Sequence, residues 1–388
     1  MDKLKSLFLS IVKFCLRNLF YLFPIQKGKV VFDNFFGKGY GDNPKYIADE
    51  IIRQKLNYKL VWLLKGSAVV PENIKSVPIK SLRSCYELAT AQVIIANSKG
   101  GIIQFFKKKK GQLFLQTWHG DFPLKYIEKE VEAMLPPDYI KASKADSKIT
   151  DAIISGNVFF SEILRESFWL PDKCEVLEYG LPRNDIYFKG EDVKNQLKQK
   201  YGFSMSDKIL LYAPTFRDDL DTDCYNINFE KLLTLLCSAN KADWKVIIRL
   251  HPKISNKSSL FTYNSEIING SSFSDPQELC MISDCLITDY SSIMSDFMLT
   301  NKPVFLYASD YEKYSSQTTG RGLRDIFYKL PFSICRCQEE LENEIVRFNK
   351  EAYLANLKIF MKDYYNTFDN GQASEKIVNY IKTKVIQK

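Results

Sequence analysis

A chain of 388 residues with a net charge of +8, 45% apolar and 14% aromatic side chains is too apolar for a disordered protein and too long for one ordinary core; two domains are predicted. The positive charge suits a partner bearing phosphate or an anionic membrane surface and does not choose between them. Nine cysteines, odd in number and without metal-ligand spacing, read as reduced thiols in a cytosolic setting and exclude a structural zinc.

The first 23 residues, MDKLKSLFLSIVKFCLRNLFYLF, are apolar but interrupted by charges, short of the roughly 20 clean residues a spanning helix needs. No small-residue cleavage site follows, which argues against a secretory signal. Lys3, Ser6, Ser10, Lys13 and Arg17 fall on one stripe of a helix, with Leu4, Leu7, Phe8, Ile11, Val12, Phe14 and Leu19 around the rest. The spacing predicts a basic amphipathic helix over 1–23 lying in a bilayer interface; a helix packed on the protein's own core is the competing reading. The run FFKKKKGQ, Phe105 to Gln112, either touches the same anionic surface or is a solvated loop tip.

After Pro24 the pattern becomes strand, loop and helix. KVVFDNF reads as a strand, GKGYGDN as a glycine-rich loop, and Pro44 suits the first turn of a following helix. YKLVWLL (58–64), QVIIANS (92–98) and QLFLQTW (112–118) are short apolar runs of buried-strand type, and DAIISG and CEVLEYG resume the strands. Between them, Glu128 to Lys148 is polar and predicted helical. The charged stretch from Pro182 to Ser206 is read as a junction, dividing residues 24–187 from 188–388. A second series follows, with KILLYAP, WKVIIRL, DCLITDY and KPVFLYA as strands separated by helical stretches. Strands alternating with helices predict parallel sheets, hence an α/β chain of two Rossmann-like domains facing each other. In such sheets ligands bind at the carboxyl ends of the strands.

The unusual residues cluster at those ends. LLYAPTFRDD carries Thr215, Arg217 and Asp218; VIIRLHP carries Arg249 and His251; LITDYSSIMSDF carries Thr288, Asp289, Ser291 and Ser292 ahead of a helix. A helix start offers unpaired N–H groups, so the serines either cap it or hold an anion there, and the neighbouring arginines and histidine favour a pyrophosphate. His119, in QTWHGDFPLK, ends a strand of the first domain; it and His251 are the two histidines of the chain. A lone histidine is often merely packed, but Gly120 allows an unusual turn beside it, and imidazole suits a general base.

GYGDNPKYI, QTWHGDFPLK, GLPRND, LLYAPTFRDD, IIRLHP, DCLITDYSSIMSDF and GRGLRD occur in that order, and together they resemble the CDP-glycerol glycerophosphotransferase family of teichoic acid primases and polymerases. The likeness runs from about Phe32 to the final helix. It implies a GT-B fold with an acceptor-binding domain (24–187) and a CDP-polyol donor domain (188–388), the cleft lying between them. It further implies transfer of a polyol phosphate from CDP-glycerol or CDP-ribitol to a hydroxyl of a lipid-linked saccharide or polyol-phosphate acceptor, in teichoic acid or capsule-type polymer synthesis, with release of CMP.

By that resemblance His119 matches the base, and His251 the histidine at the donor pyrophosphate. Ser291 and Ser292 match the phosphate-holding turn, with Arg217, Arg249, Thr288 and Asp289 beside it, and Arg321 matches an arginine near the donor phosphates. Gly39, Asp42, Asn43, Asp121 and Lys125 fall on the acceptor side. One departure is visible: Asp121-Phe122 stand where many members have a threonine directly before Pro-Leu-Lys, which lengthens the turn after His119 by one residue. Charge on the departing CMP phosphate would fall to His251 as imidazolium, Arg249 and the two serines. No metal is required by the sequence. Asp219-Leu220-Asp221 is a possible Mg²⁺ site, with a polar loop the better reading. The expected location is peripheral, on the cytoplasmic face of the bacterial membrane, with no nucleic acid as partner. The competing readings are a nucleotide-sugar glycosyltransferase of the same fold and a non-catalytic module gripping anionic polymer through its lysines, which leaves both histidines without a purpose.

Overall fold

The computed structural model describes residues 15–217, 222–251, 254–315 and 322–386. Its contacts divide the chain into two units. One takes the described residues up to Asp121, Ile127–Asp185 and the chain from Thr367; the other takes Phe122–Tyr126 and Ile186–Asn366.

In the first unit, strands β1 (Lys29–Asp33), β2 (Lys59–Leu64), β3 (Ile74–Pro78), β4 (Val93–Ala96), β5 (Leu113–Gln116), β6 (Ala152–Ile154) and β7 (Glu175–Leu177) form one sheet in the order β3-β2-β1-β4-β5-β6-β7. Every pairing is parallel. All five residues of β1 are buried, as a strand covered on both faces requires. Successive residues serve opposite faces: Val30 and Phe32 join a core with Trp62, while Val31 joins one with Leu63, Ile94 and Phe114. Fully burying such a side chain contributes about 1.5–3 kcal/mol. The sequence reading misses β3, where only Ile74 and Val77 are buried; an edge strand has little apolar surface to betray it.

The second unit has six strands: β8 (Lys208–Tyr212), β9 (Trp244–Ile248), β10 (Ile267–Asn269), β11 (Cys285–Thr288), β12 (Val304–Tyr307) and β13 (Ile334–Cys335). Their order is β10-β9-β8-β11-β12-β13, again all parallel. The four predicted strands are the four central ones, and the short edges β10 and β13 are the additions.

Three boundaries differ from expectation. The helix Ala373–Ile386 belongs to the first unit rather than to residues 188–388. Ile377, Val378 and Ile381 complete the core around Phe32 and Trp62, and the Asp185 carboxylate accepts the N–H groups of Ala373 and Ser374 at 2.9 and 2.8 Å, capping the helix start. Phe122–Tyr126 belongs to the second unit: Phe122 is fully buried, edge-on to Phe360 and Tyr365 at 5.9 and 5.3 Å between ring centres. The helix expected over Glu128 to Lys148 is two pieces, a 3₁₀ segment Glu128–Met134 and a helix Pro137–Ile149. Pro136 and Pro137 lack the N–H groups that would carry one helix through and push the preceding residue out of the helical region.

Of the predicted membrane helix, residues 1–14 lie outside the described residues, and 15–21 are helical. Phe20 and Phe23 pack on Tyr86 at 6.4 and 5.4 Å, whereas Leu19 and Leu22 are 54% and 79% exposed. The described turns therefore have one face on the protein and another open. The lysine run is not a free loop tip. Lys108 pairs with Asp151, Lys109 donates to the carbonyls of Phe23 and Ala89, and Lys107 lies over the Tyr21 ring.

Candidate active site

His119 sits three residues past the end of β5, and its geometry is fixed from three sides. Its Nδ1 lies 2.7 Å from the Asn97 carbonyl oxygen at the end of β4. A carbonyl only accepts, so Nδ1 carries the proton and Nε2 is left with its lone pair. The ring stands 4.1 Å from Trp118 and 5.1 Å from Phe35, centre to centre. Burial outweighs the Asn97 carbonyl and the charge of Asp42, and holds the imidazole below its ordinary value of 6.5. A neutral, oriented imidazole with one free lone pair is what a general base needs. The strained residue of this turn is Trp118, at φ 51°; Gly120, expected to supply the unusual conformation, has no positive φ. Gln116 holds Trp118 in place by accepting its N–H at 3.0 Å.

Behind His119 runs a buried polar frame. Arg183 Nη1 donates to the His119 carbonyl at 2.8 Å and to Asp42 Oδ1 at 3.0 Å. Asn97 donates to Asn34 Oδ1 and Asp42 Oδ2 at 2.7 and 2.9 Å and accepts the Phe35 N–H at 2.8 Å. Asn43 accepts from the Arg183 N–H at 3.2 Å, and its amide faces the carbonyls of Thr117 and Trp118 at 3.4 Å. Asp42 and Asn43, predicted on the acceptor side, thus hold the histidine loop from within. Arg183 and Asn97 are the residues the sequence reading misses. The signal for Arg183 is GLPRND itself; for Asn97 it is a polar residue closing an otherwise apolar strand.

The other acceptor-side expectations fare differently. Gly39 is left-handed at φ 77°, and its carbonyl accepts from Asn34 and the Trp62 indole. Asp121 is fully buried, and Asn157 donates to both its carbonyl and its carboxylate at 2.9 and 3.1 Å, so it clasps the fold instead of facing an acceptor. Lys125 lies in the second unit, bridged to Leu323 with its amine 4.7 Å over the Tyr314 ring.

In the second unit the strand ends do converge, with a different division of labour from that expected. Arg217 is 6% exposed; it reaches Asp289 at 2.9 Å and grips Asp310 through two nitrogens at 2.6 and 3.0 Å. Burial opposes its charge, and Asp289 and Asp310 more than offset that, holding the guanidinium above its ordinary value. Asp289 Oδ1 accepts the N–H groups of Thr215 and Tyr290 at 2.8 and 2.6 Å, and Thr288 Oγ1 donates to the Ala213 carbonyl. Arg249 donates to the carbonyls of Gly270 and Phe273. Both arginines are therefore engaged with the protein, and Arg217, Thr288 and Asp289 form the brace under the site, because a buried guanidinium needs paired carboxylates. His251 remains partly exposed beside Phe216, 4.5 Å between ring centres. Ser291 and Ser292 are also partly exposed just before the helix Ile293–Met298, where the Ser292 side chain makes no capping bond. The Thr215 hydroxyl is buried without a hydrogen-bond partner.

Arg321 and the Asp219-Leu220-Asp221 loop lie outside the described residues. Among the described residues no three His, Cys, Asp or Glu side chains gather closely enough to hold a metal ion, and no helix is long and apolar enough to cross a membrane.

Two units of parallel sheet, each carrying a histidine at its strand ends, define an α/β chain of GT-B type, and the comparisons give the same fold. The structure is similar to the wall teichoic acid polymerase TagF, with a TM-score of 0.85 at 28% identity, over 100% of this chain and 98% of that one. A histidine-to-asparagine variant of that polymerase, soaked with CDPG, is similar at a TM-score of 0.84. Over residues 15–383 the chain matches the family described as CDP-Glycerol:Poly(glycerophosphate) glycerophosphotransferase, and it belongs to that family. It is 31% identical over 375 residues to a teichoic acid poly(glycerol phosphate) polymerase of Staphylococcus epidermidis, 92% of this chain and 51% of that protein. A teichoic acid glycerol-phosphate transferase of Staphylococcus aureus is 28% identical over 92% of this chain and 93% of its own length. The chain spans about half the length of the polymerases of S. epidermidis and Bacillus subtilis that it matches.

Proposed function

We propose that this protein transfers glycerol phosphate from CDP-glycerol to a hydroxyl of a lipid-linked acceptor, releasing CMP. The observation that carries the reading is the 2.7 Å contact from His119 Nδ1 to the Asn97 carbonyl, which leaves Nε2 as a proton acceptor in a chain of this family. The acceptor O–H proton passes to His119 Nε2 as the oxygen bonds to the distal phosphorus. The bond from that phosphorus to the oxygen of CMP breaks, and the electron pair leaves with CMP. His251, with the hydroxyls of Ser291 and Ser292, serves the phosphates of the donor by hydrogen bonding. Arg217, Asp289 and Thr288 act one layer behind, as the frame that sets those strand ends.

The exposed Leu19 and Leu22 and the +8 charge support attachment to an anionic membrane surface on the cytoplasmic side, where a lipid-linked acceptor would be met. The test is direct: purified protein is incubated with CDP-glycerol, CDP-ribitol or UDP-sugars and synthetic lipid acceptors, and the products are weighed. A mass gain of one glycerol phosphate with equimolar CMP is expected. Gain of ribitol phosphate alone would correct the donor, and gain of a sugar with release of UDP would overturn the reaction type.

A further inference from the structure

The loop after β1 carries two aromatic residues in a backbone conformation that L-residues avoid. Phe35 at φ 43° and Phe36 at φ 58° precede Gly37 at φ 85°, so three consecutive residues are left-handed. Bulky side chains persist in that region only where their surroundings dictate it, and strain of this kind gathers at functional sites. Here the surroundings are visible. Asn97 Oδ1 accepts the Phe35 N–H at 2.8 Å, Asn34 Nδ2 donates to the carbonyls of Lys38 and Gly39, and the Gly37 carbonyl accepts from the Lys65 N–H at 2.8 Å. The Asn97 that pins Phe35 is the one whose carbonyl orients His119.

The two rings go to different neighbours, one on the imidazole and one on the loop after β4. Phe35 lies against the imidazole at 5.1 Å. Phe36 lies on the backbone of Gly101, where a Cβ would come within 1.5 Å of its ring, and Phe36 is still 38% exposed. The loops after β1, β4 and β5 follow three adjacent parallel strands, so the exposed Phe36 and the base lie at the same, carboxyl, end of the sheet.

We propose that Phe36 is the platform on which a sugar ring of the acceptor lies while one of its hydroxyls meets His119. The proposal rests on reading His119 as the base toward the acceptor. A pyranose combines hydroxyls at its rim with a face of C–H groups made electropositive by the ring's oxygens, and that face is attracted to the negative face of an aromatic ring. A polyol phosphate chain is acyclic and charged and has no such face; a polyprenyl tail has no hydroxyl to give. The platform therefore sets a preference for a hydroxyl carried on a ring.

The test compares the full chain with its Phe36→Ala, Phe36→Trp and Gly101→Ala variants. Two lipid acceptors are used, one ending in a pyranose and one ending in glycerol phosphate, with CDP-glycerol as donor. Phe36→Ala and Gly101→Ala are expected to raise KM for the pyranose acceptor about tenfold, the scale of one aromatic contact. Phe36→Trp should stay within about twofold, and KM for CDP-glycerol should not move. The thermal midpoint of Phe36→Ala should move little, since the ring is 38% exposed and alanine keeps the same left-handed backbone cost. Binding of the soluble pyranose headgroup, titrated calorimetrically without donor, should weaken in the same order. Equal losses on both acceptors, or undiminished headgroup binding by Phe36→Ala, overturn the platform. A wild type that binds the headgroup yet transfers no glycerol phosphate overturns the proposed reaction instead, and leaves the platform standing.

Discussion

Nδ1 of His119 and the backbone carbonyl of Asn97, 22 residues apart in the chain, stand 2.7 Å apart in the fold. That contact decides which imidazole nitrogen carries the proton. It uses a carbonyl, which orients the ring without lending it a negative charge, so burial governs the titration. The ring is neutral and ready to accept a proton at physiological pH.

His119→Asn is expected to lower transfer by about 10²–10⁴, the usual contribution of a general base, with the fold retained. The acidic limb of kcat/KM should fall below pH 6.5, because the folded value lies under the ordinary one. The sign for stability follows: between the two values the unfolded chain binds the extra proton, so stability declines as pH falls through about 6.5. A pH series of unfolding midpoints should lose that decline in His119→Asn. An unchanged decline would remove His119 as its source.

Arg183 joins the His119 carbonyl to Asp42. Arg183→Met leaves the buried Asp42 carboxylate without its cation, and a loss of about 3–5 kcal/mol is expected in urea unfolding. Arg183→Lys restores a charge, but its ammonium sits on a differently shaped stem and lacks the planar guanidinium that holds one Nη1 against both oxygens. It should recover part of the stability while kcat/KM stays at least tenfold down, on the scale of one hydrogen bond to a charged group. Full activity in the lysine variant would show that the histidine loop needs only charge from this position.

Arg217 bears on a different quantity. Held between Asp289 and Asp310 at 6% exposure, it should matter for folding more than for donor binding. Arg217→Gln is expected to cost about 3–5 kcal/mol, since two buried carboxylates lose their partner, and to leave KM for CDP-glycerol within about threefold in whatever protein stays folded. A stable variant with a sharply raised donor KM would return Arg217 to the phosphate.

Asp33, at the end of β1, is buried, and no well-formed hydrogen bond reaches either carboxylate oxygen. Burial pushes it up to about 7, against partial relief from the N–H groups of Phe36 and Gly37, with Asp146 adding repulsion. Its folded value exceeds the unfolded one, so the folded state holds the extra proton and stability falls as pH rises from about 4 to 7. Asp33→Asn should abolish this, raising the unfolding midpoint at pH 8 and changing it little at pH 4. Equal midpoint shifts at both pH values would count against the titration.

The central strands of both sheets were legible because strands covered on two faces are written as continuous apolar runs, from KVVFD to VFLY. The edges β3, β10 and β13 were not, since one open side leaves too few apolar residues to stand out. The two histidines stand just past the apolar runs of β5 and β9, and the structure leaves both partly exposed.

By itself, then, the chain determined its elements, their parallel pairing and the two imidazoles at strand ends, because these depend on neighbours a few residues away. Only the tertiary structure decided which polar groups face each other. Arg217 meets Asp310 across 93 positions, Arg183 meets Asp42 across 141, and Asp185 caps a helix 188 residues on. An arginine at a strand end reads the same whether it awaits a phosphate or is gripped by a carboxylate. The difference lies in burial, since a charge removed from water must be paired, and pairing across such distances is set by how the sheets bring the chain back on itself.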